Sequence, residues 1–407
     1  MGKKNTLQIL QLSKIAIIGA GASGLISSIF LASKGFDVTI LEKNNKVGKK
    51  LLATGNGRCN VTNQHINLNN FHSSSDISLI KNILNNFNYE KCKKFFNSIG
   101  IEFIHRENGR AYPMSQTASS IVDMLEYKAL SCGVEIKLNY EVVKVIFDNE
   151  KFIINDSLKY NKVILSTGSL AMSKLGGTNQ GYNIAKSFNH TLIDPFPSLV
   201  QLISDNKNLD MISGVKIDGT IENHQGDILF TKYGISGSAV LDISRDISYR
   251  LQYENNVKIK IDIMPSFSKN RLIEILTKRL KTLPNIDIYL WLDGIINKKL
   301  SRYIIEYSNI TQNIKISQQL NKKDILKIVH SIKNLEFNIT NTKGFDNCEV
   351  CGGGICLDEV NINTMESKLQ KGLYLTGEIL DVDADCGGYN LHFAWASGST
   401  LAKELKI

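Results

Sequence analysis

The chain has 407 residues, 43% of them hydrophobic and 21% charged, enough for two or three domains around a large core and too balanced for a disordered, fibrous or membrane-embedded chain. Seven cysteines, an odd number thinly spread, argue against a secreted disulfide framework and for reduced thiols in a cytoplasm. The net charge of +9 comes from lysines that read as scattered among abundant Asn and Ile, the residues of AT-rich codons, and so argues against a nucleic-acid partner.

Taken in chain order, a basic start (Lys3, Lys4) precedes the segment KIAIIGAGASGLISSIFLASKGFDVTILE, Lys14 to Glu42. An apolar strand runs into Gly19, Gly21 and Gly24, a helix with small residues follows, and a second strand ends on an acid, a full dinucleotide-binding signature. Gly19 serves the tight turn, Gly21 leaves room for a pyrophosphate, and Gly24 lets the helix pack on the strand, so that the helix N-terminus faces the anion. Glu42 then accepts from ribose hydroxyls and repels a 2′-phosphate, which suits FAD or NAD better than NADP. The uncharged run Ile15 to Ser33 also resembles a membrane span or signal core, but neither tolerates three glycines or explains the acid-ended strand. Met1-Gly2 with Thr6 formally matches a myristoylation pattern too short to carry weight.

The loop VGKKLLATGNGRCNVTN (47–63) leads to helical patterns around Ile77 to Phe87 and Tyr89 to Ser98, then a helix of about Thr117 to Ser131. Strands are predicted at Val134 to Leu138, Tyr140 to Phe147 and Phe152 to Ile154, and a buried parallel-type strand, KVILSTG (162–168), ends in Gly168. From about Ile193 short strand-like runs (Val215 to Ile221, Ile228 to Thr231, Val257 to Ile263) predict a mostly β region, with a small helical cluster at about 268–308. Near Thr342 glycine-rich character resumes. A strand, Leu373 to Thr376, ends in Gly377-Glu378, and Gly387-Gly388-Tyr389-Asn390 opens a helix with small residues Ala394, Ala396 and Gly398. Such an acid can bind ribityl hydroxyls, and amides at such a helix start can face a pyrophosphate or a flavin edge that becomes negative on reduction. The pattern predicts an α/β Rossmann-like domain, residues 1–193 and 343–407, split by an inserted domain at 194–342.

At this point the chain resembles the BaiN-like family of bacterial NAD(P)/FAD-dependent oxidoreductases, also described as aminoacetone oxidase family FAD-binding enzymes. The segments GAGASG, KKLLATGNGRCNVTN, ENGRAYPMSQTASSIVDML, GDILFTKYGISGSAVLDISR and NTMESKLQKGLYLTGEILDVDADCGGYNLHFAWASG carry the likeness over nearly the whole chain. The resemblance implies an FAD domain interrupted by a β-barrel-like insert with a helical module. It further implies NAD(P)H-dependent reduction of a conjugated enone in a small, steroid-like molecule, with NAD(P)H a transient co-substrate, since no second G-x-G-x-x-G exists. This chain departs from the family at Lys49, Gln180, Lys232, Ser238 and His392, where Arg, Asp, His, Pro and Gln are common. Alternatives are an oxygen-using amine oxidase and, from other classes, a flavin-dependent RNA-modification protein or a non-catalytic flavin sensor.

Motifs and resemblance together place the expected cofactor contacts at Gly19, Gly21, Ala22, Ser23, Gly24, Glu42, Lys43, Lys50, Gly57, Arg58, Cys59, Val143, Thr167, Gly168, Gly377, Glu378, Gly387, Gly388, Tyr389, Asn390 and Leu391, and assign no metal. Candidates for chemistry are Cys59, His392 and Tyr389. No second cysteine follows Cys59 closely, so a structural or flavin-facing thiol is preferred to half of a redox disulfide. His392, one turn from Gly388, could donate a proton, although a lone histidine is more often packed. Arg58 and Arg110 could hold phosphate or pair with carboxylates, and Tyr112 could cover a ring. Cys348-x-x-Cys351 with Cys356 and Cys386 could be a metal or redox set, but the run into Gly352-Gly353-Gly354 favours close backbone approach to a ligand.

Overall fold

The computed structural model describes residues 13–106, 108–310 and 314–405. The basic start and the Met1-Gly2 pattern lie outside the described residues. The chain divides into two compact units, one formed by the residues up to Phe196 with those from Glu349 onward, the other by Pro197–Cys348.

In the first unit, Lys14–Ile18 is apolar on both faces and so becomes a central parallel strand rather than a half-exposed one. It pairs in parallel with Asp37–Leu41 on one side and Lys162–Leu165 on the other. The seven-stranded sheet runs Val360–Asn361, Glu366–Ser367, Leu373–Leu375, Lys162–Leu165, Lys14–Ile18, Asp37–Leu41, Glu135–Lys137. Strand order therefore reverses beside Lys14–Ile18, and the crevice outside the carboxyl ends of the strands at such a switch point is where doubly wound sheets take ligands. Helix Ala22–Ser33 follows the glycine turn and packs against the C-terminal helix Tyr389–Glu404. A Cβ on Gly398 would stand 2.7 Å from Ile26 Cγ2 and 2.8 Å from Ser23 O, so glycine there sets how closely the two helices approach.

Two local expectations change. The run from Tyr140 is strand only at Val145–Asp148. Before it, the amides of Val143 and Lys144 donate to Asn155 Oδ1 at 3.0 and 3.2 Å, so a side chain takes the place of a strand neighbour. The pattern from Ile77 opens as a 3₁₀ turn, Ile77–Ile80, capped by Asp76 through Ser78 N at 2.9 Å, before helix Lys81–Asn86.

The second unit is a closed six-stranded barrel in the order Leu202–Ser204, Gly234–Ser236, His224–Thr231, Lys216–Ile221, Val257–Asp262, Leu335–Thr342. Alternation along VKIKID sends Val257, Ile259 and Ile261 inward and Lys258 and Lys260 outward. The mostly β region also contains helix Ser238–Arg250, whose buried Val240, Ile243 and Ile247 follow a helical period. The helical module comprises Lys269–Thr282, Ile288–Asp293 and Lys298–Tyr307, each started by a side-chain cap from Ser268, Asp287 or Asn297, and extends beyond the expected 308 to helix Lys322–Lys333.

The positive charge is not scattered. Residues 269–333 hold thirteen Lys and Arg against five Asp and Glu, a net +8 of the chain's +9. No helix among the described residues is long and apolar enough to cross a membrane.

Candidate functional site

The site is built at the carboxyl end of the first unit's sheet. Gly19 has φ +105°, and a Cβ there would lie 2.5 Å from Ser166 O, so the turn closes directly onto the neighbouring strand end. A Cβ on Gly24 would lie 2.0 Å from Gly19 O, whereas one on Gly21 meets nothing within 4 Å. The three glycines thus have two different tasks: Gly19 and Gly24 admit protein, and Gly21 faces open space. Helix Ala22–Ser33 has no side-chain cap and no acid in its first turn, which leaves the amide end around Ala22, Ser23 and Gly24 able to receive an anion.

Glu42 is buried at the end of the second strand. Its Oε2 accepts from Ala20 N at 2.7 Å, and Oε1 accepts from Asn44 N and Nδ2 at 2.8 and 2.7 Å. The carboxylate is therefore held in place before any ligand arrives; Oε1 already takes two bonds, and Oε2 keeps acceptor capacity for a hydroxyl. Asn44, which the sequence reading passed over, is in turn contacted by Lys49 Nζ at 3.3 Å. Lys43 lies half-buried in the same turn.

Beside the glycine turn, Ser166 and Thr376 hydroxyls meet at 2.8 Å and join two strand ends that lie far apart in sequence. Past them, Thr167-Gly168 and Gly377-Glu378 stand together: Lys50 Nζ donates to Glu378 Oε2 at 2.7 Å and Ser169 Oγ to the same oxygen at 3.4 Å. Gly168 itself is open, with Glu378 Oε2 4.0 Å from where its Cβ would be. Gly377 N donates to Ser397 Oγ at 3.0 Å, which seats this turn on the C-terminal helix.

The second helix start is assembled from distant parts of the chain. Gly388 caps Tyr389–Glu404 with φ +92°, and a Cβ on it would collide with Thr62 O at 2.8 Å. Asn63 Nδ2 donates to Gly387 O at 3.0 Å and Arg110 Nη2 to Cys386 O at 3.2 Å. Arg110 thus holds the backbone of this turn. Asn390 makes a reciprocal pair with the Ala384 backbone, 2.9 and 2.8 Å, so its amide is spent on the loop and it acts as a brace. Leu391 is half-buried behind it, and Tyr389 packs edge-on to Phe71 at 6.1 Å. Arg58 lies 6.0 Å from the Tyr112 ring, next to Gly57. Val143 is exposed, and its carbonyl accepts from Gln180 Nε2 at 2.9 Å.

The three candidates for chemistry separate by environment. Cys59 is fully buried, and burial pushes its thiol up to about 12 against a smaller opposing hydrogen bond from Thr54. His392 is also fully buried; Nδ1 meets Thr62 Oγ1 at 2.9 Å, and burial pulls the ring down to about 4, so it is neutral. Tyr389 keeps its proton across the neutral range because burial, then the Asp385 carboxylate, raise its pKa. None of the cysteines forms a disulfide, and among the described residues no group of His, Cys, Asp and Glu is arranged to hold a metal ion.

Two helix starts without side-chain caps, two fixed carboxylates, one lysine and open space at Gly21 fit the chemistry of a dinucleotide, with its anionic pyrophosphate and hydroxyl-bearing sugar on either side. Comparison with known proteins agrees. The profile of the HI0933-like protein Rossmann domain matches residues 13–404. The chain is 36% identical over 401 residues to the 3-dehydro-bile acid delta(4,6)-reductase of Clostridium scindens, covering 95% of this chain and 97% of that one. It is 31% identical over 409 residues to a ribosomal RNA dihydrouridine synthase of Haemophilus influenzae, covering 97% and 99%. Among solved structures, the 3-ketosteroid-delta4-(5alpha)-dehydrogenase of Rhodococcus jostii RHA1 shares the fold at a TM-score of 0.51 and 12% identity, covering 99% of this chain and 100% of that one. From the glycine turn to the C-terminal helix, this chain belongs to the HI0933-like Rossmann family, and it is an FAD-dependent oxidoreductase.

Proposed function

We propose that the protein reduces a carbon–carbon double bond conjugated to a carbonyl in a small unsaturated molecule, with NADH or NADPH as donor. The observation that carries this reading is the full-length likeness to a reductase whose name specifies 4,6 double bonds in a 3-dehydro bile acid. FAD, when bound, supplies hydride exchange between a nicotinamide and carbon. The chain's part is to hold and shield. Glu42 takes the adenosine ribose, the amides at Ala22–Gly24 take the pyrophosphate, and Lys50 with Glu378 takes the ribityl side. The positive end of helix Tyr389–Glu404 supports negative charge that develops nearby. Cys59 and His392 are too deeply buried to pass a proton to a substrate, which leaves Tyr389 as the proton source of the three. In this reading residues 1–193 and 343–407 carry the cofactor, and 194–342 select the substrate.

The test uses the purified holoprotein without oxygen. The flavin band should bleach with NADH or NADPH and return on adding a 3-oxo-4-ene steroid. Bleaching by amines, with recovery only in air, would replace this reading with the amine oxidase.

A second reading keeps the chemistry and changes the carrier. The ring double bond of uracil is also conjugated to a carbonyl, the H. influenzae relative is named for forming dihydrouridine in ribosomal RNA, and the net charge of this chain is gathered in one module. RNA incubated with the protein and NAD(P)H should then gain two hydrogens at one uridine, measurable by mass spectrometry.

A further inference from the structure

Drift toward AT-rich codons would bias every part of the chain alike. Outside residues 269–333, however, 35 Lys and Arg are balanced by 34 Asp and Glu, the remainder of totals of 48 and 39. Within the module eleven of the thirteen cations are exposed, against two of the five acids, Glu274 and Asp287. The two cations not exposed have structural tasks: Arg279 Nε donates to Trp291 O, and Lys333 pairs with Asp262. Of the exposed eleven, Arg271 is offset by Glu274 at 3.1 Å. An ordinary solvated helix face mixes the two signs and is laced by pairs three or four residues apart. This one is nearly all of one sign.

The helices place these cations on faces turned away from their packed sides. Helix Lys269–Thr282 packs on helix Lys322–Lys333. The first buries Leu272 and Leu276, and the second buries Ile325 and Val329. At 100° per residue the opposite stripes carry Lys278 and Lys281 on the first and Lys323 and Lys327 on the second, all four exposed. Self-repulsion on such a surface is relieved by a polyanion, which releases counterions as it binds.

We infer that the outer face of this helical module is a docking surface for RNA, with Lys278, Lys281, Lys323 and Lys327 against the phosphate backbone. The surface follows from the charge; the choice of RNA among polyanions rests on the uracil-base reading above. Phosphate contacts of this kind position a strand and do not read its sequence.

The experiment compares three full-length, FAD-loaded proteins: wild type, the module variant K278E/K281E/K323E/K327E, and a control of equal charge change on exposed lysines of the other unit, K94E/K159E/K186E/K371E. Each is titrated with fluorescently labelled, protein-free ribosomal RNA and with phosphatidylglycerol vesicles over a range of salt; an unchanged flavin spectrum and thermal midpoint verify folding. Wild type should bind RNA with a steep salt dependence. The module variant should lose affinity by about tenfold or more at ~0.1 M salt, with the slope shallower by about 3. The control should stay within about twofold of wild type on the same scale. Equal losses in the two variants, wild-type affinity in the module variant, or binding to vesicles and not to RNA would each overturn the inference. RNA bound through the module with no uridine reduced would remove the uracil-base reading and leave the docking surface standing.

Discussion

His392 offers a direct measurement of how the interior of the first unit is built. It is enclosed on the inner side of the C-terminal helix, its ring 6.3 Å from that of Phe87, with Nδ1 on the Thr62 hydroxyl. Burial prevails over the smaller opposing hydrogen bond with the Phe87 backbone, and the pKa falls from 6.5 to about 4. Because the folded value lies below the unfolded one, the unfolded chain takes up the proton first. The neutral ring's contribution is therefore complete above the unfolded pKa and is lost as pH falls toward 4. A displacement of this size is worth about 3 kcal/mol in full, and about 2 kcal/mol between pH 7.5 and pH 5. His392→Gln retains a side chain that can meet Thr62 and removes the titration. Urea unfolding of both proteins at the two pH values, followed by flavin release and circular dichroism, should show wild type losing about 2 kcal/mol more than the variant, since every other titrating group is common to both. Equal losses in the two proteins would mean that His392 is hydrated or charged in the folded state, and the packed-histidine reasoning would fail.

Gly21→Val should give a folded, colourless protein, because the added side chain fills space that only a ligand would use; full flavin occupancy on purification would refute the placement of the pyrophosphate. Glu42→Ala should weaken FAD by about 1–3 kcal/mol through loss of the bonds it offers and of the order it gives to Ala20 and Asn44, measured by flavin fluorescence on titration. Cys59→Ser should leave flavin reduction by NAD(P)H within about tenfold, or roughly 1.4 kcal/mol of barrier. The native thiol should also resist alkylation at pH 8; rapid labelling would show that Cys59 is neither buried nor held protonated. Gly398→Val should lower stability by about 1–3 kcal/mol by forcing helix Tyr389–Glu404 away from Ile26 and Ser23, read as a lower thermal midpoint.

Local signals sufficed wherever one short stretch of chain both makes and uses a feature. The turn Gly19–Gly24, the acid-ended strand with Glu42, the strand that ends at Gly168 and the alternation along VKIKID are such cases, since backbone conformation, side-chain period and chemistry there depend on near neighbours. Helices Ser238–Arg250 and Lys322–Lys333 escaped because β-branched residues and a surrounding β pattern outweigh a helical period that becomes decisive only once one face is buried. The roles of Asn44, Asn63 and Arg110 depend on what stands opposite them: a carboxylate two residues away for the first, and a turn near residue 387 for the other two. Cys59 and His392 look reactive as residue types, and burial alone makes one a protonated thiol and the other a neutral ring. The charge is the clearest division of labour. Its concentration in residues 269–333 can be counted in the sequence, but which of those cations stand on the outer stripes of two helices became visible only when packing of Leu272, Leu276, Ile325 and Val329 fixed which faces turn to water.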